Sequence, residues 1–548
     1  MNGSSRADAI LHAFFRGGAT ARDRERARAR LRPLADAARR GDPAASLRLR
    51  ALSDELRAGD RPVIPFHWQL EFPHVFARDD PGFDVFVGNP PFLGGKRIRA
   101  TLGGAVKDWL VGTVADASGN ADLSAYFLRR TFALLRRGGA LGLIATNTIA
   151  QGDTLSTGLG WICAHGGRIF SATKRLAWPG RAAVVASVVC VRKGGDPLPA
   201  RLDGEPVPRI SAYLSHAGDD RPPRALADNR GISHVGCDLK GMGFTFDDAV
   251  PGATPLAEMR RILQVAPHSA ERIFPYLGGE EINGHPAHAH RRFVIHFEDL
   301  PLESAKRWPE LLAIVERKVK PERATKSGAL ANWPWWQFWR PRAELARKLR
   351  ALDRVLVHSQ VSAHHGLVFQ PPDRVFAHTL NVFLLPSFAA FAILQSRVHE
   401  LWARFFGSTL EDRLRYTASD CFETFPFPPD WQRSLALERA GQRYYESRAA
   451  RMLRHHEGLT ATYNRFHDPD ERAPDILELR DLHAALDRAV LAAYGWTDLA
   501  DRAACEFRLD HDDRPRAARK PWRCRWPRDL HDEVLARLLA LNRARADA

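Results

Sequence analysis

Apolar residues recur at helical spacing from Arg22 to Leu52, so residues 1–60 read as a helical segment dominated by Ala, Leu and Arg. The periodicity stops between Pro62 and Phe76, where Pro65-Phe66-His67-Trp68 and Phe72-Pro73 predict a docked connector in place of a helix. Phe83-Asp84-Val85-Phe86-Val87 is a short apolar strand that stops at Gly88-Asn89-Pro90-Pro91. Ala121 to Arg137 carries the pattern of an amphipathic helix closed by Gly138-Gly139, and Ala140 to Ala145 is a second buried strand followed by Thr146-Asn147. A third, β-branched run, Ala182 to Val191, ends at Arg192-Lys193-Gly194-Gly195. Strands alternating with helices predict an α/β segment over 61–200, with a mostly parallel sheet covered on both faces.

Pro, Gly and Asp clusters make 201–250 a linker. A second body, 251–430, mixes elements around Trp333-Pro334-Trp335-Trp336-Gln337-Phe338-Trp339, an aromatic cluster that reads as core. Residues 431–548 are helical and basic. A helical pattern runs to about 496, then Arg514 to Arg528 interleaves arginines with Trp522 and Trp526, and a last helix ends near Asn542. The basic stretch suits either phosphate contact with ring packing or a solvated surface.

Composition adds bounds. The 548 residues are 45% hydrophobic and 26% charged, enough for several cores. No apolar run reaches the length of a membrane span, and the N-terminus has no signal core, so a cytoplasmic protein without membrane contact is expected. The six cysteines form no CxxC pair, which predicts reduced structural thiols and no metal site. His364-His365 are neighbours that cannot share one helix face, so they read as loop or packing residues. A net charge of +16 invites a polyanionic partner, although an Arg- and Ala-rich, Lys-poor chain also follows from GC-rich coding.

The candidate chemistry lies in Asn89-Pro90-Pro91-Phe92, directly after a buried strand. A proline-fixed turn at the C-terminal end of a sheet strand holds polar groups over the edge where α/β proteins bind ligands. The Asn89 side chain offers one carbonyl acceptor, the Pro90 backbone a second, and Phe92 a flat apolar face. Two acceptors and a stacking surface suit an exocyclic amine whose lone pair attacks a methyl group.

These four residues resemble the amino-methyltransferase motif of adenine-N6 DNA methyltransferases, and the resemblance extends further. Phe66-His67-Trp68-Gln69-Leu70-Glu71-Phe72-Pro73, Asn120-Ala121-Asp122-Leu123-Ser124-Ala125-Tyr126-Phe127 and Leu143 to Thr154 look like the segments around that motif in the large restriction-associated enzymes. Phe274-Pro275-Tyr276-Leu277-Gly278-Gly279-Glu280-Glu281-Ile282 and Asp420 to Pro428 resemble landmarks of their target-recognition domain. The similarity is to combined restriction-methylase enzymes (type IIG) and to methyltransferases of phage-defence systems such as BREX and DISARM. It implies part of a class I methyltransferase (Rossmann-like) sheet, then a mixed target-recognition domain and a helical C-terminal region. It further implies S-adenosylmethionine as methyl donor, double-stranded DNA as partner, and an adenine flipped out of the duplex. Asn89 and Pro90 would then accept from the amine, Pro91 would fix the turn, and Phe92 would stack on the base.

Two departures stand out. The family's Gly-rich cofactor loop lies far upstream of the motif, whereas 88 residues precede it here and none forms an acidic residue plus Gly-rich turn after a strand. Arg16-Gly17-Gly18-Ala19 follows helix, and Gly94-Gly95 and Gly103-Gly104 read as turns after the motif. Leu155 also stands where a basic residue is expected after Gly152-Asp153-Thr154. No cofactor-binding residue can therefore be named, and a separate cofactor-binding chain encoded nearby is expected to complete the enzyme. The competing readings are an inactive DNA-binding specificity subunit and an amino-methyltransferase acting on protein glutamine or RNA. The long second body argues against the last.

Overall fold

The computed structural model describes residues 3–18, 20–58, 61–177, 185–216, 220–410, 413–509 and 522–548. They divide into two compact units, Met1–Pro222 and Pro223–Ala548.

The first unit opens with helices α1 (Gly3–Phe15), α2 (Ala21–Arg39) and α3 (Pro43–Arg57). Thr20 and Asp42 cap α2 and α3 by accepting from the first free amides, and Pro43 occupies the first turn of α3, where no N–H is needed. Their small core is Ala9, Ala38, Ala45 and Leu49. Asp8 is buried beside it. Burial opposes its charge, but bonds from Ser53, His67 and Arg57 hold its carboxyl below the usual range. His67 thereby ties the connector to the bundle. That connector contains two single helical turns, α4 (Trp68–Glu71) and α5 (Pro73–Phe76), where the sequence pattern predicts none.

Strand β1 (Phe83–Gly88) follows, then α6 (Gly95–Leu102), α7 (Gly104–Thr113) and α8 (Leu123–Leu134). Gly95 and Gly104 thus begin helices where turns are expected. β2 (Leu135–Thr146), β3 (Gly167–Ala177), β4 (Val185–Lys193), β5 (Ala200–Leu202) and β6 (Glu205–Val207) complete a six-stranded sheet in the order β1-β2-β4-β3-β5-β6. Residues 182–184 of the predicted third strand lie outside the described residues.

Two expectations are corrected here. Only β1–β2 and β3–β5 are parallel, while β4 runs antiparallel to both β2 and β3, so the sheet is mixed. The predicted helix to Arg137 ends at Leu134, because Leu135 pairs with Phe83 and Arg136 bonds Asp84 of β1. One face of the sheet, with Leu141, Leu143, Ala145, Val189 and Val191, is buried. On the other face Val85 and Val87 of β1 stay 60% and 84% exposed, so the expected cover on both faces is missing there.

The second unit has two four-stranded sheets. One runs Leu367–Gln370, Val355–Ser359, Leu380–Phe383, Ser233–Val235, and its neighbours are all antiparallel. The other runs Val375–Phe376, Ile273–Leu277, Arg292–Ile295, Thr245–Phe246. Helix Phe388–Gln395 is buried from Ala389 to Gln395 and packs against helix Leu435–His455. Trp333 and Trp336 donate their indole N–H to Phe338 and Leu300 carbonyls; of the cluster, Phe338 lies in the core, Trp335 and Trp336 pack half-buried against it, and Trp333 and Trp339 are half-buried. His364 and His365 are buried and hydrogen-bonded, in keeping with packing.

Of the basic stretch, 514–521 lie outside the described residues. Trp522–Arg525 is a strand paired with Glu506–Leu509. Arg523 and Trp526 are buried, and Arg523 reaches His364 and the Ala363 carbonyl, so these two side chains are neither phosphate contacts nor solvated surface, whereas Trp522 and Arg528 are exposed. The last helix, Arg528–Asp547, runs five residues beyond Asn542.

Candidate active site at the end of the first strand

Because β1 and β2 are parallel, with Phe86 opposite Leu141 and Gly88 opposite Leu143, their C-terminal ends open on the same side. The loops leaving them meet there. Asn89 is exposed at the mouth of β1, Pro90 is buried beneath it, Pro91 is exposed, and Phe92 is half-buried. The Asn89 amide bonds to no other described residue, so its acceptor is free for a ligand.

The turn is held from behind. The backbone N–H of Leu123 donates to the Leu93 carbonyl at 2.9 Å. Gly95 lies against the Asn120 peptide so closely that a Cβ there would sit 2.3 Å from its carbonyl, which explains glycine at this position. Lys107 Nζ donates to the Gly95 carbonyl at 3.2 Å. The chain after Asn89 is therefore laid along the loop that begins α8.

That loop is in turn fixed to the segment after β2. Asp122 caps α8 by accepting from Ser124 N–H at 2.9 Å, and its own N–H donates to Thr154 Oγ1 at 3.1 Å. The Ser118 N–H donates to Thr157 Oγ1 at 2.9 Å, and Tyr126 donates its hydroxyl to the Ser118 carbonyl at 2.8 Å. Burial, with the Asp153 carboxylate adding to it, raises the Tyr126 phenol above its usual range and keeps it a donor. Arg129, also buried, donates to the Thr157 and Ala115 carbonyls at 3.0 and 2.9 Å and lies 3.5 Å over the Trp161 ring. Leu155 is buried, which accounts for an apolar residue in its place.

Three loops, 89–95, 115–122 and 146–157, thus form one braced wall beside an exposed acceptor and a half-buried ring. All four residues singled out from the sequence sit together here. Tyr126, Arg129, Thr154 and Thr157 were assigned no part in it by sequence reasoning. Their role depends on partners far away in the chain, and no short motif marks it.

A cofactor site is another matter. Everything described before β1 is helix or connector, so no acidic residue and Gly-rich turn follow a strand there.

The second unit contains the other landmarks. Asn229 Nδ2 donates to the Phe422, Glu423 and Phe425 carbonyls, and Phe422 and Phe425 are fully buried. Glu281 accepts from the Gly278 N–H at 2.9 Å and pairs with Arg292, locking the turn that follows strand Ile273–Leu277.

Residues 44–158, from α3 through the Asn89 loop to the brace after β2, match the family described as Eco57I restriction-modification methylase. Residues 253–429 match the MmeI target recognition domain. DNA methyltransferase A of Bacillus subtilis (strain 168) is 22% identical over 427 residues, covering 75% of this chain and 45% of that protein. The solved structure of the type IIL restriction-modification enzyme MmeI in complex with DNA is 18% identical, with a TM-score of 0.61 over 91% of this chain and 63% of that one, a likeness of fold. The chain spans about half the length of the curated relative it matches, 45% of it. Along the chain, a segment similar to the Eco57I restriction-modification methylases is thus followed by one similar to the MmeI target recognition domain.

Proposed function

We propose that this chain holds and orients the target base of a DNA adenine-N6 methyltransferase and carries its sequence-recognition body. The observation that carries the reading is the free Asn89 acceptor on a braced proline turn at the C-terminal end of β1, within the segment that matches a methylase family. The Asn89 side-chain carbonyl and the Pro90 backbone carbonyl accept the two amine hydrogens of a flipped adenine. Pro91 fixes the turn, and the Phe92 ring stacks on the base. With both hydrogens engaged, Asn89 and Pro90 would orient the amine and leave its nitrogen as the nucleophile. S-adenosylmethionine would supply the methyl group as an electrophile. Double-stranded DNA is the substrate, and 253–429 its reader.

The cofactor-binding body lies outside these residues in this reading, on a separate chain encoded nearby. Strands β1 to β4 would then be part of a class I methyltransferase sheet completed at β1. Among the described residues β1 is an edge strand. The connection from β1 through α8 to β2 covers the Leu141 face. A strand of that separate chain paired at the free edge of β1 would bring its own covering helix onto the opposite face. It would cover Val85 and Val87, and the switch in direction would put the ligand crevice beside Asn89.

The test is N6-methyladenine in the DNA of a host without adenine methylation, expressing this chain with its neighbouring reading frames. Wild type methylates, and Asn89→Ala loses about a hundredfold or more, because preorganised acceptors act where charge develops. Methylation by Asn89→Ala at the wild-type rate removes this motif from the chemistry. No methylation by wild type with any of those partners leaves the inactive specificity subunit as the function.

A further inference from the structure

The first unit carries an uneven distribution of cations beside the Asn89 loop. Lys96 and Arg99 lie one turn apart on α6, which starts six residues after Asn89. Asp108 of α7 receives Arg99 at 3.2 Å and Arg24 of α2 at 3.1 Å, so α6 and α2 meet across one carboxylate. Arg24 is fixed further by the Gly18 carbonyl and the Phe14 ring, 4.4 Å away. Arg28 and Arg32 continue its row at four-residue steps along α2.

Lys96, Arg28 and Arg32 are exposed and have no ion pair among the described residues. The whole of α2 holds seven arginines against Asp23, Glu25 and Asp36. Asp23 pairs with Arg26 and Asp36 with Arg39, and Asp108 is shared by Arg24 and Arg99, which leaves Lys96, Arg28 and Arg32 without an ion pair among the described residues. Like charges at i and i+4 destabilise a helix. Pro33 inside α2 removes a backbone bond as well. A helix kept this way suits a polyanion that relieves the repulsion, and guanidinium groups match phosphate oxygens in pairs.

We propose that this row, Lys96, Arg99, Arg24, Arg28 and Arg32, is a contact of the first unit's own with the phosphate backbone of duplex DNA, separate from the recognition body. It rests on the reading of Asn89 as the base-holding residue. Lys96 stands on the first turn of α6, on the chain that leaves the Asn89 turn, close to where a nucleotide would enter it. The contact carries no sequence information and sets the position of the strand.

The experiment uses the full chain and a duplex of about 30 base pairs of arbitrary sequence, with fluorescence anisotropy read across a salt series. Each phosphate contact contributes about 0.9 to the slope of log K against log salt. The triple variant Lys96→Gln/Arg28→Gln/Arg32→Gln is expected to lower that slope by about 2 to 3. The charge-conserving Arg28→Lys/Arg32→Lys is expected to keep it. All three are exposed, so an unchanged thermal midpoint verifies the fold. An unchanged slope in the triple variant overturns the proposal. So does a triple variant that keeps DNA affinity yet loses binding to vesicles of anionic phospholipid, which assigns the row to a membrane surface. Asn89→Ala separates the two readings. A slope lowered only in the triple variant supports the backbone contact even where no methylation is found, and methylation with an unchanged slope removes the contact alone.

Discussion

The backbone N–H of Asp122 donates to the hydroxyl of Thr154 at 3.1 Å, joining residues 32 apart in the chain. Asp122 starts α8 and Thr154 stands after β2, so this one bond fixes the wall on which the Asn89 turn rests. Both residues are buried. Thr154→Val keeps the shape but leaves the Asp122 N–H without an acceptor, which costs about 1–3 kcal/mol. Urea unfolding should show that loss, and methylation should fall with it. Thr154→Ser should restore both. A Val variant as stable as wild type would mean that the bond contributes nothing to the wall.

Gly94 and Gly95 are adjacent and should differ sharply. A Cβ on Gly95 would lie 2.3 Å from the Asn120 carbonyl and 2.7 Å from that of Ala121, both backbone atoms that cannot turn aside. A Cβ on Gly94 meets nothing within 4 Å, and its φ of −58° suits any residue. Gly95→Ala should therefore cost about 1–3 kcal/mol by overpacking and displace the turn that presents Asn89. Gly94→Ala should leave stability and methylation unchanged. Equal melting of the two variants would contradict the close packing of the 89–95 and 115–122 loops.

The strand end and the turn after it were legible because their information is local. Alternating apolar residues end at Asn89-Pro90-Pro91, and proline fixes the turn in any tertiary setting. The brace was not legible, since Thr154, Thr157 and Arg129 gain meaning only through partners brought by folding. The same division runs through the fold. Leu134-Leu135-Arg136-Arg137 are good helix formers, yet Leu135 joins β2 because Phe83 and Asp84 offer it and Arg136 partners. The direction of β4 is likewise invisible in its apolar run, which suits a buried parallel or antiparallel strand equally. Trp526 and Arg523 read as surface from composition, whereas pairing of their segment with Glu506–Leu509 draws them inside.

Buried histidines make the second unit acid-sensitive. Burial pushes His365 and His288 down to about 4, and His364 and His296 to about 3. For His365 burial outweighs the opposing pull of Glu400. His358, His399 and His467 are also lowered well below the ordinary value by burial. The folded unit keeps these rings neutral, while the unfolded chain binds protons below about pH 6.5. The unfolded state then holds more protons, so stability falls as pH drops from about 6.5 towards 4. Thermal midpoints measured at pH 7.5, 6 and 5 should decline progressively, with loss of near-ultraviolet tyrosine and tryptophan dichroism. A flat profile over that range would show that the rings are not buried neutral.

Arg397 and Asp487 form a buried ion pair between helices Arg397–Phe406 and Pro474–Ala493. Asp487 accepts from Arg397 Nη1 at 2.6 Å and from the Arg397 backbone N–H at 2.8 Å, and His483 lies 3.4 Å from the same carboxylate. Arg397 also donates to the Cys524 carbonyl, so strand Trp522–Arg525 hangs on the same guanidinium. Removing one partner of such a pair leaves a charge in the core without a counter-ion, at a cost of about 3–5 kcal/mol. Asp487→Ala should lose that in full, with the second unit melting first. The double variant Arg397→Met/Asp487→Leu removes both charges and fills the space with apolar atoms. It should be markedly more stable than Asp487→Ala. Guanidinium unfolding of wild type, Arg397→Met, Asp487→Leu and the double variant measures the coupling. Additive losses would show that the two side chains act independently, and the pair would then not be what holds these helices to the strand.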